Sequence, residues 1–210
     1  MNIKHIAMLA AIVCAGIVTG CSSNSSTAPD SPSDPFSAPQ TPNQNTSDSY
    51  YPLTEGSTWT YTGIQSYTQT ASGDSVIGGK DWKKLQTNTG AVAYARWIGN
   101  KLVGINISPA ISTQEIEGLD ITPNARWSFD ITSTGIPTHY TYVDSLQGQS
   151  ITVLGHTYND VIVLHLVYSF SFQGLSETLG GTYYFAKGVG LVEADLDQMG
   201  SIMLESYSIK

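Results

Sequence analysis

Positive charge is scarce in this chain. Its 210 residues hold 9 Lys plus Arg against 17 Asp plus Glu, a formal net charge of -8. A nucleic-acid binder must supply a basic patch to neutralise phosphates, and Lys83-Lys84 is the one adjacent basic pair, so that class is excluded. Charge of either sign is thin, at 12% of residues. Coiled coils and long surface helices need many Lys and Glu positions, and they are excluded too. Cysteine is limited to Cys14 and Cys21, too few for a disulfide framework, so the core must be large enough alone. The longest apolar or small run, residues 6–18, is too short to span a bilayer as a helix.

That run follows a short basic start carrying Lys4, and the pair reads as a secretory signal peptide over residues 1–20. Val18-Thr19-Gly20-Cys21 comes directly after it, with a small residue at each of the two positions before the cysteine. The tetrad resembles the bacterial lipoprotein processing box. The resemblance implies cleavage before Cys21, lipidation of Cys21, and anchorage in the bacterial cell envelope, on an outer membrane or cell surface. The cysteine count agrees. Cys14 leaves with the signal, and lipidation accounts for the one unpaired cysteine that remains. Removing Lys4 brings the net charge to -9, with no polybasic lipid-binding patch, so anchorage rests on the acyl group.

From Cys21 to residue 49 the sequence is Ser, Thr, Pro, Asn, Asp and Gln with a single aromatic, Phe36. Such a segment cannot bury enough apolar surface to offset the entropy of ordering, and it reads as a disordered tether. Residues 50–210 then form one globular domain.

That domain alternates. Trp59 and Tyr61 face one way in TWTYTGI, and Trp127, Phe129 and Ile131 share a face, as do Tyr140, Tyr142 and Leu146. Residues 161–172 (VIVLHLVYSFSF) are the strongest strand. Ile162, Leu164, Leu166, Tyr168 and Phe170 lie on one side, and Val161, Val163 and His165 on the other. Gly78-Gly79, Gly99-Asn100, Gly180-Gly181, Gly188 to Gly190 and Gly200 punctuate the run as turns. The reading is an all-β antiparallel curled sheet, a half-barrel, barrel or sandwich of about ten or eleven strands. At most one or two short helices are expected. The candidate is Ser112–Leu119, where Ser112 is followed three residues later by Glu115.

No phosphate loop, dinucleotide fingerprint, zinc-protease motif or nucleophile elbow is present. No catalytic residue and no cofactor are predicted. His165, between Val163 and Val167, reads as a satisfied or semi-buried structural residue and His156, beside Gly155, as a solvated turn residue, while His139 and Asp144 alternate to opposite faces and cannot build a Ser-His-Asp set with Ser145. Glu193, Asp195 and Asp197 share one strand face. They read first as a solvated acidic row and second as a calcium candidate, which Asp74, Asp120 or Asp130 could complete if the sheet curls. The chain is rich in aromatics, with 12 Tyr, 4 Trp and 5 Phe. Most belong in the core, while Tyr140, Tyr142, Tyr168, Tyr183 and Tyr184 are candidates to line a cavity.

Three segments carry a resemblance. YPLTEGSTWTY (51–61), GHTYNDVIVL (155–164) and YFAKGVGLV (184–192) are similar, in order and spacing, to segments of a broad group of uncharacterised bacterial secreted proteins and lipoproteins. The fold resembles, more loosely, the half-barrel lipoprotein carriers LolA and LppX. That resemblance implies a concave face that takes acyl chains. The sequence therefore predicts a non-enzymatic envelope lipoprotein for binding or assembly, with the membrane as one partner. An envelope protein, a hydrophobic ligand carried on the concave face, or a cell-wall glycan is the other.

Overall fold

Strict alternation of buried and exposed residues runs through most of the chain, and the backbone follows it into twelve strands. The computed structural model describes residues 48–210 apart from 109–110, 134–135 and 173–174. The expectations for the signal peptide, Cys21 and the tether lie outside the described residues. The strands are β1 (Thr58–Gly63), β2 (Tyr67–Ile77), β3 (Lys80–Thr87), β4 (Val92–Ile98), β5 (Lys101–Ser108) and β6 (Ile111–Asp120). They continue as β7 (Arg126–Ser133), β8 (Ile136–Val153), β9 (His156–Phe172), β10 (Leu175–Ala186), β11 (Gly190–Leu196) and β12 (Gly200–Ser208).

Every pairing is antiparallel, in one sheet of order β6-β5-β4-β3-β2-β1-β12-β11-β10-β9-β8-β7. The first and last strands pair in its middle, and its two edges, β6 and β7, are consecutive in the chain. The sheet curls into a nearly closed up-and-down barrel whose seam lies between them. Side chains bridge that seam: Trp127 Nε1 donates to Glu117 O at 2.8 Å and Gln114 Nε2 to Asp130 O at 3.2 Å.

Three features differ from the sequence reading. The segment read as a helix is strand β6. Leu119 pairs with Leu102 and Ile116 with Gly104, while Glu117 pairs with Val103, which leaves Gly118 as an extra residue. This bulge turns Ile116 and Leu119 to the same face, a spacing of three that a sequence reader takes for a helix turn. Gly180-Gly181 is no turn but lies inside β10. A Cβ on Gly180 would meet Leu166 O at 3.0 Å and Asp197 Oδ2 at 2.9 Å, and one on Gly181 would meet Leu196 Cδ2 at 3.0 Å. The glycines admit close approach of the neighbouring strands, a frequent reason for Gly in a strand interior. The alternating stretch from Tyr140 to Leu146 does not end there but runs on through register shifts to Val153 as the single long strand β8.

The core fills the barrel. Trp59, Tyr61, Leu164, Leu166, Tyr183, Phe185 and Leu204 are essentially inaccessible. On β9, Ile162, Leu164, Leu166, Tyr168 and Phe170 are all buried, while His165 and Val167 on the other side are exposed. A smaller cluster of Trp82, Val103 and Ile105 forms on the outer face, where the Arg96 guanidinium lies 4.8 Å from the Trp82 ring.

The segment leading into β1 closes one end of the barrel, and it does so by joining the three segments singled out in the sequence. Tyr51 and Leu53 are buried, and Tyr51 stacks on Trp59 at 5.6 Å while its hydroxyl donates to Gln69 Oε1 at 2.7 Å. Trp59 Nε1 donates to Val189 O at 2.6 Å and the Tyr61 hydroxyl to Leu191 O at 3.2 Å. The Tyr50 hydroxyl donates to Asp160 Oδ1 at 2.8 Å, and Gly188 N to Ser49 O at 2.8 Å. This end is the clasp end. In an up-and-down meander the turns alternate, so the β2–β3, β4–β5, β6–β7, β8–β9 and β10–β11 turns lie at the clasp end and the other turns at the far end.

Candidate functional site

The inner wall of β7, β8 and β9 carries a continuous run of aromatic rings. It follows from register: Trp127 pairs with Tyr142, Phe129 with Tyr140, and Tyr140 in turn with Tyr168. Directly opposed residues place their Cβ atoms about 5 Å apart, so rings on one face must stack. They do. Trp127 and Tyr142 lie 5.1 Å apart at 4°, Phe129 and Tyr140 5.2 Å apart at 21°, and Tyr140 and Tyr168 5.8 Å apart at 23°. Phe129 also stacks on Tyr142 at 5.8 Å. Tyr142, Tyr140 and Tyr168 are buried, but Trp127 and Phe129, next to the seam, are only half-buried although they face inward. The wall is therefore less covered at its β7 end than at β8 and β9.

Burial dominates the chemistry of this wall. It pushes the Tyr140 phenol up to about 12, partly opposed by a hydrogen bond with Thr138. It also pushes the Tyr168 phenol up to about 12, helped by the neighbouring Tyr140 and by Asp197. The Tyr168 hydroxyl is buried with no hydrogen-bond partner among the described residues. Such a group costs free energy unless something bonds it. Both phenols stay protonated at neutral pH and can only donate or accept hydrogen bonds. They are not bases or nucleophiles there.

Four of the five tyrosines proposed to line a cavity face inward. Tyr140, Tyr142 and Tyr168 belong to the wall, and Tyr183, paired with Leu164 and Ala194, continues the interior on β10. Tyr184 alternates to the outer face, opposite Glu193 and Val163. Trp127 and Phe129 were not foreseen as lining residues. Their period-two spacing with Ile131 placed them on one face, but nothing in it showed that they flank a seam.

The acidic row lies outside the barrel. Glu193 is half-buried, and burial first, then Asp195, raises its carboxyl above the ordinary range. Asp195 is exposed and accepts from Ser201 Oγ at 3.0 Å. Asp197 stands at the start of the β11–β12 turn, its amide donating across to Gly180 O of β10 at 3.0 Å. Asp74 is paired with Lys83, Asp120 with Lys101 and Asp130 with His139, each on a strand away from β11. Among the described residues no three His, Cys, Asp or Glu side chains are grouped so as to hold a metal ion.

His139, His156 and His165 are exposed. His165 Nδ1 lies 3.1 Å from Thr182 Oγ1, and His156 sits at the β8–β9 tip. His139 is held between Asp130 Oδ1, 2.8 Å from Nδ1, and Thr141 Oγ1, 3.3 Å from Nε2. The order carboxylate, imidazole, hydroxyl has the look of a nucleophile relay. It stands on an outward sheet face with both charged partners at least half exposed. Catalysis by such a relay requires a shaped site with donors for the developing oxyanion, and a relay on an open face lacks one.

No protein-family model matches the chain, and no curated protein matches it either. Among solved structures it is similar to a crystal structure from Parabacteroides distasonis ATCC 8503 of a protein named as a candidate lipoprotein. The likeness has a TM-score of 0.46 and 12% identity over 76% of this chain and 98% of that one. A likeness of that size assigns no role to any residue.

Proposed function

We propose that this chain is a non-enzymatic, lipid-anchored protein of the bacterial envelope whose barrel binds an apolar ligand against the β7–β9 wall. The observation that supports the ligand reading is the half-buried, inward-facing pair Trp127 and Phe129 at one end of the stack. Inward aromatic side chains beside a seam give an apolar ligand a low-dielectric surface. The buried Tyr168 hydroxyl gives one polar group a place to bond, and this pairing of apolar lining with a few polar groups is typical of ligand sites. A glycan fits less well. Sugar rings stack on exposed aromatic faces, and here most of the faces are covered by one another, leaving edges and hydroxyls toward the interior. The anchor rests on the Val18–Cys21 tetrad, and the domain limits on the change of composition near residue 49.

Brominated palmitate titrated into the protein is the direct test. Bromine quenches indole at contact range, so the emission of Trp127 should fall, and Trp127→Phe should remove the quenched component while the other three tryptophans remain unchanged. Unchanged emission up to saturating ligand refutes the wall as an acyl site. Radiolabelled palmitate supplied to cells tests the anchor: the wild-type chain incorporates it and Cys21→Ser does not. Equal labelling of both refutes the anchor alone.

A further inference from the structure

We infer that the β6–β7 seam is a strand-addition site. An extended segment of a partner protein seats between Glu115–Glu117 of β6 and Ser128–Asp130 of β7, with apolar side chains against Trp127 and Phe129 and a lysine or arginine beside Glu117. This goes beyond the apolar-ligand reading and does not rest on it, because it concerns the main chain of the two edges.

The direction of the main-chain groups comes first. In an antiparallel ladder the N–H and C=O of alternate residues point to one neighbour, and those between them point to the other. Asp144 N donates to Ala125 O at 2.9 Å, so the odd-numbered residues of this stretch bond β8, and the main-chain groups of Ser128 and Asp130 face the seam. Asp130 O does so visibly, accepting Gln114 Nε2 there. On β6, Glu117 O faces the seam, where it accepts Trp127 Nε1, and Glu115 two residues earlier faces the same way. Among the described residues no main-chain hydrogen bond joins the two edges, and the N–H groups of Glu115, Ser128 and Asp130 have no acceptor.

The gap suits one strand. Laddered strands lie about 4.8 Å apart, and a strand inserted between two edges needs roughly twice that. Glu117 O and Asp130 O are each reached by a whole side chain, an indole and a carboxamide, from the opposite edge, which is a spacing of the wider kind. Because β6 and β7 are consecutive and run in opposite directions, the occupant is antiparallel to one edge and parallel to the other.

Side chains set the chemistry of the occupant. Successive residues of an inserted strand point in and out. Inward ones lie between buried Ile116 and the half-buried Trp127 and Phe129, an apolar setting. Outward ones lie beside Glu117. The charges around it are paired: Lys80 and Arg96 with Glu115, Lys101 with Glu117 and Asp120, and Asp130 with His139. One oxygen is left over. Lys101 Nζ holds Glu117 Oε2 at 2.8 Å, while Oε1 is buried with no partner among the described residues. A buried carboxylate oxygen in that state calls for a donor, and a cationic side chain is the strongest one an inserted strand can bring.

Two other occupants fit less well. Residues 22–47 hold five prolines, which cannot donate to a ladder, and no Lys or Arg. An edge strand of a second copy is already laddered on one side and cannot seat between two edges.

Residue-resolved amide exchange of the chain from Cys21 onward, with and without a short peptide alternating valine and lysine, tests this. Bound peptide should slow exchange at Glu115, Ser128 and Asp130 by about tenfold or more, and leave Trp127 and Phe129, already laddered to β8, unchanged. Ser128→Pro removes a seam-facing N–H without touching the β8 ladder, a place where an edge strand tolerates proline, and should abolish the slowing at Glu115 and Asp130. The same peptide N-methylated at alternate amides should fail on the wild-type chain, which keeps the test decisive if the variant does not fold. A valine–glutamate peptide should bind more weakly than the lysine one. The inference is overturned by no slowing at saturating peptide, or by equal slowing with the N-methylated or glutamate peptide. Slow exchange at these three amides in the protein alone, with the tether or a second copy in the seam, overturns it as well.

Discussion

Raising the pH should unfold this barrel through its aromatic wall. Tyr140 and Tyr168 are 7% and 4% exposed, and both phenols titrate near 12 in the folded chain against an ordinary value of 10. A raised folded value means that the folded state holds its proton more tightly than the unfolded state. The stabilisation is then complete below pH 10 and is lost as the pH climbs toward 12, because the unfolded chain ionises first. At about 1.36 kcal/mol per pH unit, the difference between 10 and about 12 amounts to roughly 3 kcal/mol for each ring. The pair falls short of the simple sum, since part of the Tyr168 shift comes from Tyr140 itself. Against a total stability of about 5–15 kcal/mol for a domain, a loss of roughly 3–5 kcal/mol is large. Urea unfolding midpoints measured from neutral pH to about pH 12 would show it as a steep fall above pH 10. Tyr140→Phe with Tyr168→Phe should flatten part of that fall. At neutral pH, Tyr168→Phe alone should leave stability unchanged or raise it, because the hydroxyl removed has no hydrogen-bond partner among the described residues. Folded-state tyrosinate absorbance with every midpoint near pH 10, or a double variant with the wild-type pH slope, would refute the reasoning.

Two further substitutions test the frame. Gly63 has φ +114° and the place of its Cβ lies 2.1 Å from Ser201 O, so Gly63→Ala must shift backbone at the β1–β12 pairing. Thermal unfolding should show a loss of more than about 2 kcal/mol, against roughly 1–2 kcal/mol for Gly78→Ala, which meets nothing within 4 Å and carries only its positive φ. Tyr51→Ala removes a buried ring stacked on Trp59 and a hydroxyl bonded to Gln69, and should cost about 3–5 kcal/mol by denaturant unfolding. A change below about 1 kcal/mol there would mean that the clasp does not contribute to stability.

Where side chains alternate without interruption, the sequence was sufficient. On β9 the inward row Ile162, Leu164, Leu166, Tyr168 and Phe170 follows from period two alone, whereas His165, which its valine neighbours mark as semi-buried, stands exposed. Turns built on Gly78-Gly79, Gly99 and Gly200 were equally plain, because positive φ selects glycine there. Reading failed where register shifts. The bulge at Gly118 produced helical spacing in a strand, and Gly180-Gly181 looked like a turn because glycine marks close approach as often as reversal. The candidate site shows the same limit. Tyr140, Tyr142 and Tyr168 were chosen for sharing faces with apolar neighbours, whereas Tyr184 needed only the parity of Tyr183 to be placed outside. Trp127 became visible as a lining residue only once curl had brought β7 beside β6, and no local pattern encodes that curl.

The position of the seam connects stability to access. The break lies between two consecutive strands joined by the short 121–125 turn, while the distant pair β1 and β12 is laddered along the whole of β1 with one bulge at Glu205. Pairing the chain's two ends carries the largest loop-closure cost, since that cost grows with the length enclosed. The sequence offsets it with the strongest set of specific contacts in the molecule: Trp59 to Val189, Tyr61 to Leu191, and Tyr51 stacked beneath them. The β6–β7 seam needs no such reinforcement to stay near closure, because its strands are already held together by five residues. It is bridged by Trp127 and Gln114 side chains, each such hydrogen bond contributing about 0.5–1.5 kcal/mol net. The bond that Trp127 makes to β6 and the ring face it lends to Tyr142 thus belong to one side chain. A ligand that displaces this indole from Glu117 O loosens the seam while the clasp, on strands across the barrel, holds the fold. On the proposed ligand reading, binding at the wall and opening of the seam would be coupled through Trp127, which belongs to the one pair of neighbouring strands that can separate without undoing the sheet.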